Sequence, residues 1–131
     1  MRMRSMALAA SAFLMYAIAA PAAFAHHAFS AEFSRDLPLE LTGTVTRVEW
    51  MNPHARFYIE APGENGEMVE WDFELASPNS LMRQGWRHDS LKAGDTVTVT
   101  GFRARNAPHV GNAGSVTLAD GRRVFSNQPR D

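Results

Sequence analysis

Hydrophobic and polar residues alternate with a period of two along much of the chain, which is typical of β-strands that turn one face to a core. The clearest run extends from Met68 to Leu75, where Val69, Trp71 and Phe73 fall on one face and acidic residues fall on the other. We therefore predict a strand here, with its aromatic side chains buried and its acidic side chains in water.

The same alternation predicts the remaining strands. Their predicted ranges are 39–50, 55–61 and 96–102, followed by a hairpin of 115–118 and 123–125 about an Asp-Gly turn. Residues 106–114 are predicted to form a loop. The predicted inward positions are Val45, Val48, Phe57, Ile59, Val69, Trp71, Phe73, Leu75, Val97 and Val99.

The first strand changes phase in its middle. Leu41 and Val45 share one face, whereas Val48 and Trp50 share the other. A single extra residue near Thr46 would produce this switch, so we predict a β-bulge or sharp bend within one long strand.

One short helix interrupts the strands. Ser77 is a favourable N-cap, Pro78 suits the first helical position, and Gly85 suits the end of the helix. The order is three strands, a helix and two or more strands, so the predicted class is all-β with one short helix. The predicted architecture is a small OB-like β-barrel, with a β-sandwich as the alternative.

The N-terminal segment has the pattern of a secretory signal peptide. Arg2 and Arg4 precede an apolar run over residues 6–20, and Ala23 and Ala25 satisfy the rule for signal-peptidase cleavage. We predict a signal peptide of residues 1–25, one domain over 26–125 and a polar tail over 126–131. Cleavage after Ala22 and a retained anchor are the alternatives. The predicted compartment is the periplasm or the exterior, with no membrane span after processing.

Composition narrows the classes of function. Removal of the first 25 of the 131 residues leaves 106, enough for one modest core, and moves the net charge from −1 to −3 because the segment carries two arginines and no acid. A mildly acidic domain lacks the basic surface expected of a nucleic-acid-binding protein. There is no cysteine, so no disulfide supports the exported fold.

An ordered set of short segments resembles one known family. The segments are His26–Phe33, Gly43–Val45, Val48–Trp50, Asn52–Ala55, Trp71–Leu75, Ser77–Asn79, Arg83–Trp86, Asp89–Leu91, Gly94–Asp95 and Val97–Gly101. They are similar to the small exported bacterial proteins of domain-of-unknown-function family 6152. This resemblance implies a secreted or periplasmic single domain and no settled activity. His26, His27 and His54 match the pattern of the family, whereas His88 and His109 do not.

Cleavage after Ala25 would place His26 at the new terminus. A terminal histidine offers an α-amine and an imidazole nitrogen, and His54 or His27 would supply a third nitrogen, a set that suits copper. A copper site of His26 with His54 or His27 is therefore the sharpest chemical hypothesis. The alternative is a solvated terminus, with His54 at an ordinary turn after Pro53.

Other surface features have weaker functional interpretations. The acidic stripe of Glu70, Asp72 and Glu74 would hold a cation or a basic partner, or would simply be the wet face of a strand. Tyr58 and Trp86 are the predicted exposed stacking surfaces, because Trp50 and Trp71 share their phase with core residues. A loose basic zone is formed by Arg103, Arg105, Arg122 and Arg123.

The sequence shows no catalytic motif. It has no Gly-x-Ser-x-Gly, phosphate loop, His-Glu-x-x-His or cysteine nucleophile. We therefore predict an exported binding or accessory domain for a small ligand or a periplasmic protein. The alternatives are a copper-binding protein or chaperone, and a copper-dependent oxidoreductase at the same site.

Overall fold

The computed structural model describes residues 29–125 of the chain. Residues 29–32 are helical, and the architecture below belongs to the compact unit that begins at Glu32. Its elements in chain order are β1 (Phe33–Glu49), β2 (Arg56–Pro62), β3 (Met68–Glu74), α1 (Pro78–Arg83), β4 (Thr96–Ala104), β5 (Val110–Leu118) and β6 (Arg123–Phe125). No helix among the described residues is long and apolar enough to cross a membrane.

The six strands form one sheet in the order β3-β2-β1-β4-β5-β6. A parallel pairing of β3 with β5, from Asp72 opposite Val110 to Glu74 opposite Asn112, closes the strands from β3 to β5 into a hydrogen-bonded ring. β6 lies outside this ring and pairs with β5. The fold is therefore all-β with a small helix, as predicted. The strands form one continuous sheet, whereas a β-sandwich would have two. The pairing that closes the ring is short, so the ring is less regular than a barrel with full-length ladders.

The predicted bulge in the first strand is confirmed. Val45 pairs with Ile59 and Arg47 pairs with Tyr58, so Thr46 is the extra residue on β1. The bulge bends the strand and switches the inward face between its two halves. β1 pairs with β4 from Phe33 to Thr44 and with β2 from Thr44 to Glu49, so it belongs to both parts of the sheet.

The predicted helix cap is also confirmed. The Ser77 hydroxyl oxygen accepts a hydrogen bond from the backbone N–H of Ser80, and Pro78 begins α1. Gly85 follows the helix with a φ of +94°, a conformation that glycine adopts without a steric penalty. The chain then turns back, and the Trp86 backbone N–H donates to the Leu81 carbonyl oxygen (3.0 Å).

The core lies inside the ring of strands and extends to α1. Eight of the ten predicted inward residues are buried, whereas Val48 and Val69 are only partly buried at its margin. Sequence alternation therefore identified the inward face correctly on β1, β2, β3 and β4. Trp86, Leu81 and Leu91, which follow β3, complete the core from the helical connection.

The predicted loop over residues 106–114 is confirmed for 106–109 and is wrong for 110–114, which belong to β5. β4 continues to Ala104, and β5 begins at Val110, where the alternation is weak because of two glycines. Gly111 lies against other elements so closely that a Cβ there would stand 2.8 Å from the Phe73 ring and 3.1 Å from the Leu39 side chain. Close packing, rather than a loop conformation, explains the small residue.

Candidate functional site

His54 lies in the loop between β1 and β2, beside the end of β3. The Ala55 N–H donates to the Ala76 carbonyl oxygen (3.0 Å), and the Leu75 N–H donates to the Ala55 carbonyl oxygen (2.8 Å). The Nδ1 atom of His54 lies 3.0 Å from the Leu75 carbonyl oxygen. Because a carbonyl oxygen only accepts hydrogen bonds, Nδ1 carries the proton, and the neutral ring then presents Nε2 as the nitrogen with the lone pair.

A carboxylate stands next to this histidine. The Oε1 atom of Glu74 lies 3.6 Å from His54 Nδ1, and the histidine side chain is half exposed while that of Glu74 is mostly buried. Metal-binding histidines in proteins usually donate their other ring N–H to a carbonyl or carboxylate, which fixes the ring and raises the basicity of the ligand nitrogen. The surroundings of His54 match that arrangement.

The other two predicted copper ligands, His26 and His27, lie outside the described residues 29–125. Within that range, no group of three or more His, Cys, Asp or Glu side chains is placed to hold a metal ion. The structure therefore describes one of the three candidate ligands, and the copper site stays a prediction.

The acidic stripe of β3 pairs with arginines on the neighbouring strands. The Arg56 Nε atom lies 2.9 Å from Asp72 Oδ1, and its Nη1 atom lies 3.5 Å from Glu74 Oε2. Arg47 lies 3.7 Å from Glu70. These cross-strand pairs balance much of the negative charge, so the stripe is mainly a ladder of ion pairs across the outer face of the sheet.

The prediction of Tyr58 and Trp86 as exposed stacking surfaces is wrong. Tyr58 does point outward, but it is only 9% exposed because the Arg47 guanidinium carbon lies 3.6 Å above its ring and its hydroxyl donates to Glu49 (3.1 Å). Trp86 is 1% exposed because the turn after α1 folds it into the core. Neither ring offers a free face to a ligand.

The basic zone is also engaged with carboxylates. Arg103 forms an ion pair with Glu64 (2.8 Å), and Arg122 forms one with Asp120 (2.7 Å). Arg123 donates to the hydroxyl of Thr117 (3.3 Å). The zone therefore presents less free positive charge than its four arginines indicate.

His109, to which the sequence assigned no role, packs against a core tryptophan. Its ring stands edge-on to the Trp71 indole with the centroids 5.2 Å apart, and its carbonyl oxygen accepts a hydrogen bond from the Asp72 N–H (3.0 Å). No local pattern could have indicated this contact, because it depends on the parallel pairing of β3 with β5.

Replacing Glu74 with glutamine is expected to change how stability depends on pH. Burial raises the pKa of Glu74 above its ordinary value of 4.5, against the opposing effects of His54 and Arg56. A raised folded-state pKa contributes stability below the unfolded-state pKa, and that contribution is lost as the pH rises through the folded-state pKa. The stability of the wild type relative to Glu74→Gln should therefore fall as the pH rises above about 4.5.

Denaturant unfolding of both proteins between pH 4 and pH 7 would measure this difference. Glu67→Gln, on the exposed hairpin between β2 and β3, controls for the removal of one surface carboxylate. A constant difference in unfolding free energy between wild type and Glu74→Gln would contradict the prediction.

Comparison with known families matches most of this chain. A model described as a family of unknown function, DUF6152, matches residues 14–113, which include His26, His27 and His54 as well as the strands from β1 to the middle of β5. The search of curated proteins found no match.

Proposed function

The chain belongs to DUF6152, a family of unknown function, and because membership brings no activity with it, we propose from the residues themselves that it is a small exported binding or accessory domain whose ligand is copper(II). The observation that carries the proposal is the hydrogen bond from His54 Nδ1 to the Leu75 carbonyl oxygen. It orients an exposed imidazole with Nε2 available as a ligand nitrogen.

The export part of the proposal is supported by sequence alone. The charged start, the apolar run and the Ala-x-Ala ending at Ala25 predict processing that exposes His26 as the first residue. The α-amine and Nδ1 of a terminal histidine form a chelate from a single residue. Processing would therefore create the metal-binding terminus at the same step as it releases the protein.

The chemistry of the donors selects copper. Two nitrogens from His26 and a third from His54 or His27 give a nitrogen-only set, and copper(II) stands at the head of the affinity order for divalent metals at such sites. The amine and the imidazoles must be deprotonated to bind, so affinity should fall as the pH drops. In the His54 version, Glu74 and the Leu75 carbonyl would be the outer partners of that ligand.

The exported protein should begin with His-His-Ala-Phe-Ser and bind one copper(II) ion per chain. N-terminal sequencing of periplasmic material tests the first expectation, and copper titration with electron paramagnetic resonance tests the second. One residue added before His26 should weaken copper binding sharply, because it moves the α-amine away from the chelating histidine. Loss of an outer hydrogen-bond partner of a ligand typically weakens metal binding by roughly 10–100-fold, and loss of the chelate should weaken it at least as much. His54→Ala should weaken binding less, or not at all if His27 is the third ligand.

His88→Ala is the matched control, because His88 is an exposed histidine outside the candidate site. Equal affinities for the native and the extended termini would overturn the terminal chelate. A native terminus beginning at Ala23 would have the same consequence.

A copper-dependent oxidoreductase at this site is the further form of the proposal. It requires redox turnover by the copper-loaded protein that is lost in His26→Ala. Copper binding without turnover would leave the binding or accessory role as the function.

A further inference from the structure

A second cluster, independent of His54, surrounds the indole of Trp71. This side chain points into the core from β3, is 4% exposed and stacks on Phe73 with ring centroids 6.1 Å apart. Its Nε1–H is buried, and none of the residues that the structure describes accepts a hydrogen bond from it. A buried donor without an acceptor costs free energy, so a site of this kind gains from any acceptor that reaches it.

Cationic and aromatic groups lie next to that indole. The Arg103 guanidinium carbon lies 5.7 Å from the centroid of the Trp71 ring, and the His109 ring meets the indole edge-on at 5.2 Å. Arg103 is not in direct stacking contact, unlike Arg47, which lies 3.6 Å above the Tyr58 ring. The Arg103 side chain is 29% exposed, so solvent reaches part of the guanidinium group.

The acidic partner of this cluster comes from a hairpin tip. Glu64 Oε1 lies 2.8 Å from Arg103 Nη2, and the Glu64 side chain is 75% exposed in the turn between β2 and β3. Arg103, and to a smaller extent His109, lower the pKa of Glu64. Arg103 Nη2 also donates to the Pro108 carbonyl oxygen (3.2 Å), which keeps the guanidinium in place if Glu64 leaves.

We infer that Trp71, Arg103 and His109 form a binding site for a small organic carboxylate, and that Glu64 occupies the arginine of this site in the free protein. The carboxylate of the ligand replaces that of Glu64 on the guanidinium, whose paired N–H groups match two carboxylate oxygens. One ligand oxygen accepts the Trp71 Nε1–H, which supplies the acceptor that the indole lacks. Glu64 can withdraw because it belongs to an exposed turn rather than to a strand.

The choice of a carboxylate follows from the cluster itself. The Glu64 contact already shows that Arg103 donates a hydrogen bond to a carboxylate oxygen. The His109 ring, which is only partly buried beside the indole, adds ring surface and favours an organic acid with a short hydrocarbon part over a fully hydrated inorganic anion. The site does not depend on the proposed copper chemistry, since none of its residues is a candidate copper ligand.

Nuclear magnetic resonance of the ¹⁵N-labelled protein tests this inference, with succinate and acetate as probes and chloride holding the ionic strength constant. The indole N–H signals are assigned by single Trp-to-Phe variants. The Trp71 signal should shift saturably with the probe, while those of Trp50 and Trp86 should stay in place. Glu64→Gln should tighten binding by up to about fivefold, the factor set by the loss of a competing exposed ion pair.

Arg103→Lys and Arg103→Gln should both weaken the response, with the dispersion of the backbone signals confirming that each variant folds. Asp120→Asn is the matched control, because it removes the carboxylate of another exposed Arg-carboxylate pair, the one with Arg122. An absent Trp71 shift in both the wild type and Glu64→Gln would overturn the inference. A Trp71 shift retained in Arg103→Gln would also overturn it. So would a shift that a peptide C-terminus produces and that neither succinate nor acetate produces.

Discussion

Replacing Trp86 with alanine should lower the free energy of unfolding by about 3–5 kcal/mol, the usual cost of deleting a large aromatic side chain from a core. Trp86 is 1% exposed and is the largest of the fully buried side chains in the described range. It packs into the same cluster as Leu81 and Leu91. The surrounding core relaxes only partly around a deleted side chain, so a cavity should remain.

Denaturant unfolding measures the change through the transition midpoint and slope. Met82→Ala is the matched control, because Met82 lies on α1 in the same connection and is 44% exposed. Its effect should stay within about 0.5 kcal/mol, the normal range for surface substitutions. Comparable losses for the two variants would contradict the placement of Trp86 in the core.

The burial of Trp86 could not be predicted from the sequence pattern. Strand alternation assigns an inside and an outside only where a period of two persists, and Trp86 follows a helix of six residues and a glycine. Its burial depends on the left-handed backbone at Gly85, which returns the chain to Leu81. The glycine predicted the turn, but nothing local predicted its direction.

Features governed by near neighbours were predictable. The bulge at Thr46 was visible as a change of phase, and the cap at Ser77 acts on a backbone group three residues away. The start of β5 was missed because its two glycines weaken the alternation. At Gly111 a side chain would collide with Phe73 and Leu39, both far away in the sequence. An alternating pattern predicts the inward face of a strand, but it does not predict where the strand comes close to side chains of other strands.

The candidate site also has features that the sequence predicts and features that depend on distant residues. His54 could be named from its position after Pro53, but the carbonyl that orients it belongs to Leu75, twenty-one residues away. Tyr58 was correctly placed on the outward side of its strand, yet Arg47 from the neighbouring strand covers it. Exposure of a side chain on a sheet depends on the cross-strand neighbour, and the register needed to identify that neighbour includes the bulge.

Replacing Gly101 with alanine should destabilise the fold by about 3 kcal/mol or more, at or beyond the upper end of the usual cost of overpacking. Gly101 lies where the register between β4 and β5 shifts. A Cβ at this position would overlap the carbonyl oxygen of Asn112 and stand 3.2 Å from the Cα atom of Ala113. Both are backbone atoms of a paired strand, so relief requires the ladder itself to separate.

Gly63→Ala provides the contrast for Gly101→Ala. A Cβ at Gly63 would stand 3.2 Å from a methyl group of Val69, a partly buried side chain that can shift by a few tenths of an ångström. Its cost should be about 1 kcal/mol or less, because a side chain yields more easily than a backbone ladder. Thermal and denaturant midpoints of the two variants measure the difference, and failure of Gly101→Ala to fold would agree with the larger effect. Equal midpoints would show that β4 and β5 separate at Gly101 at little cost. The close approach of Asn112 would then not explain the glycine at this position.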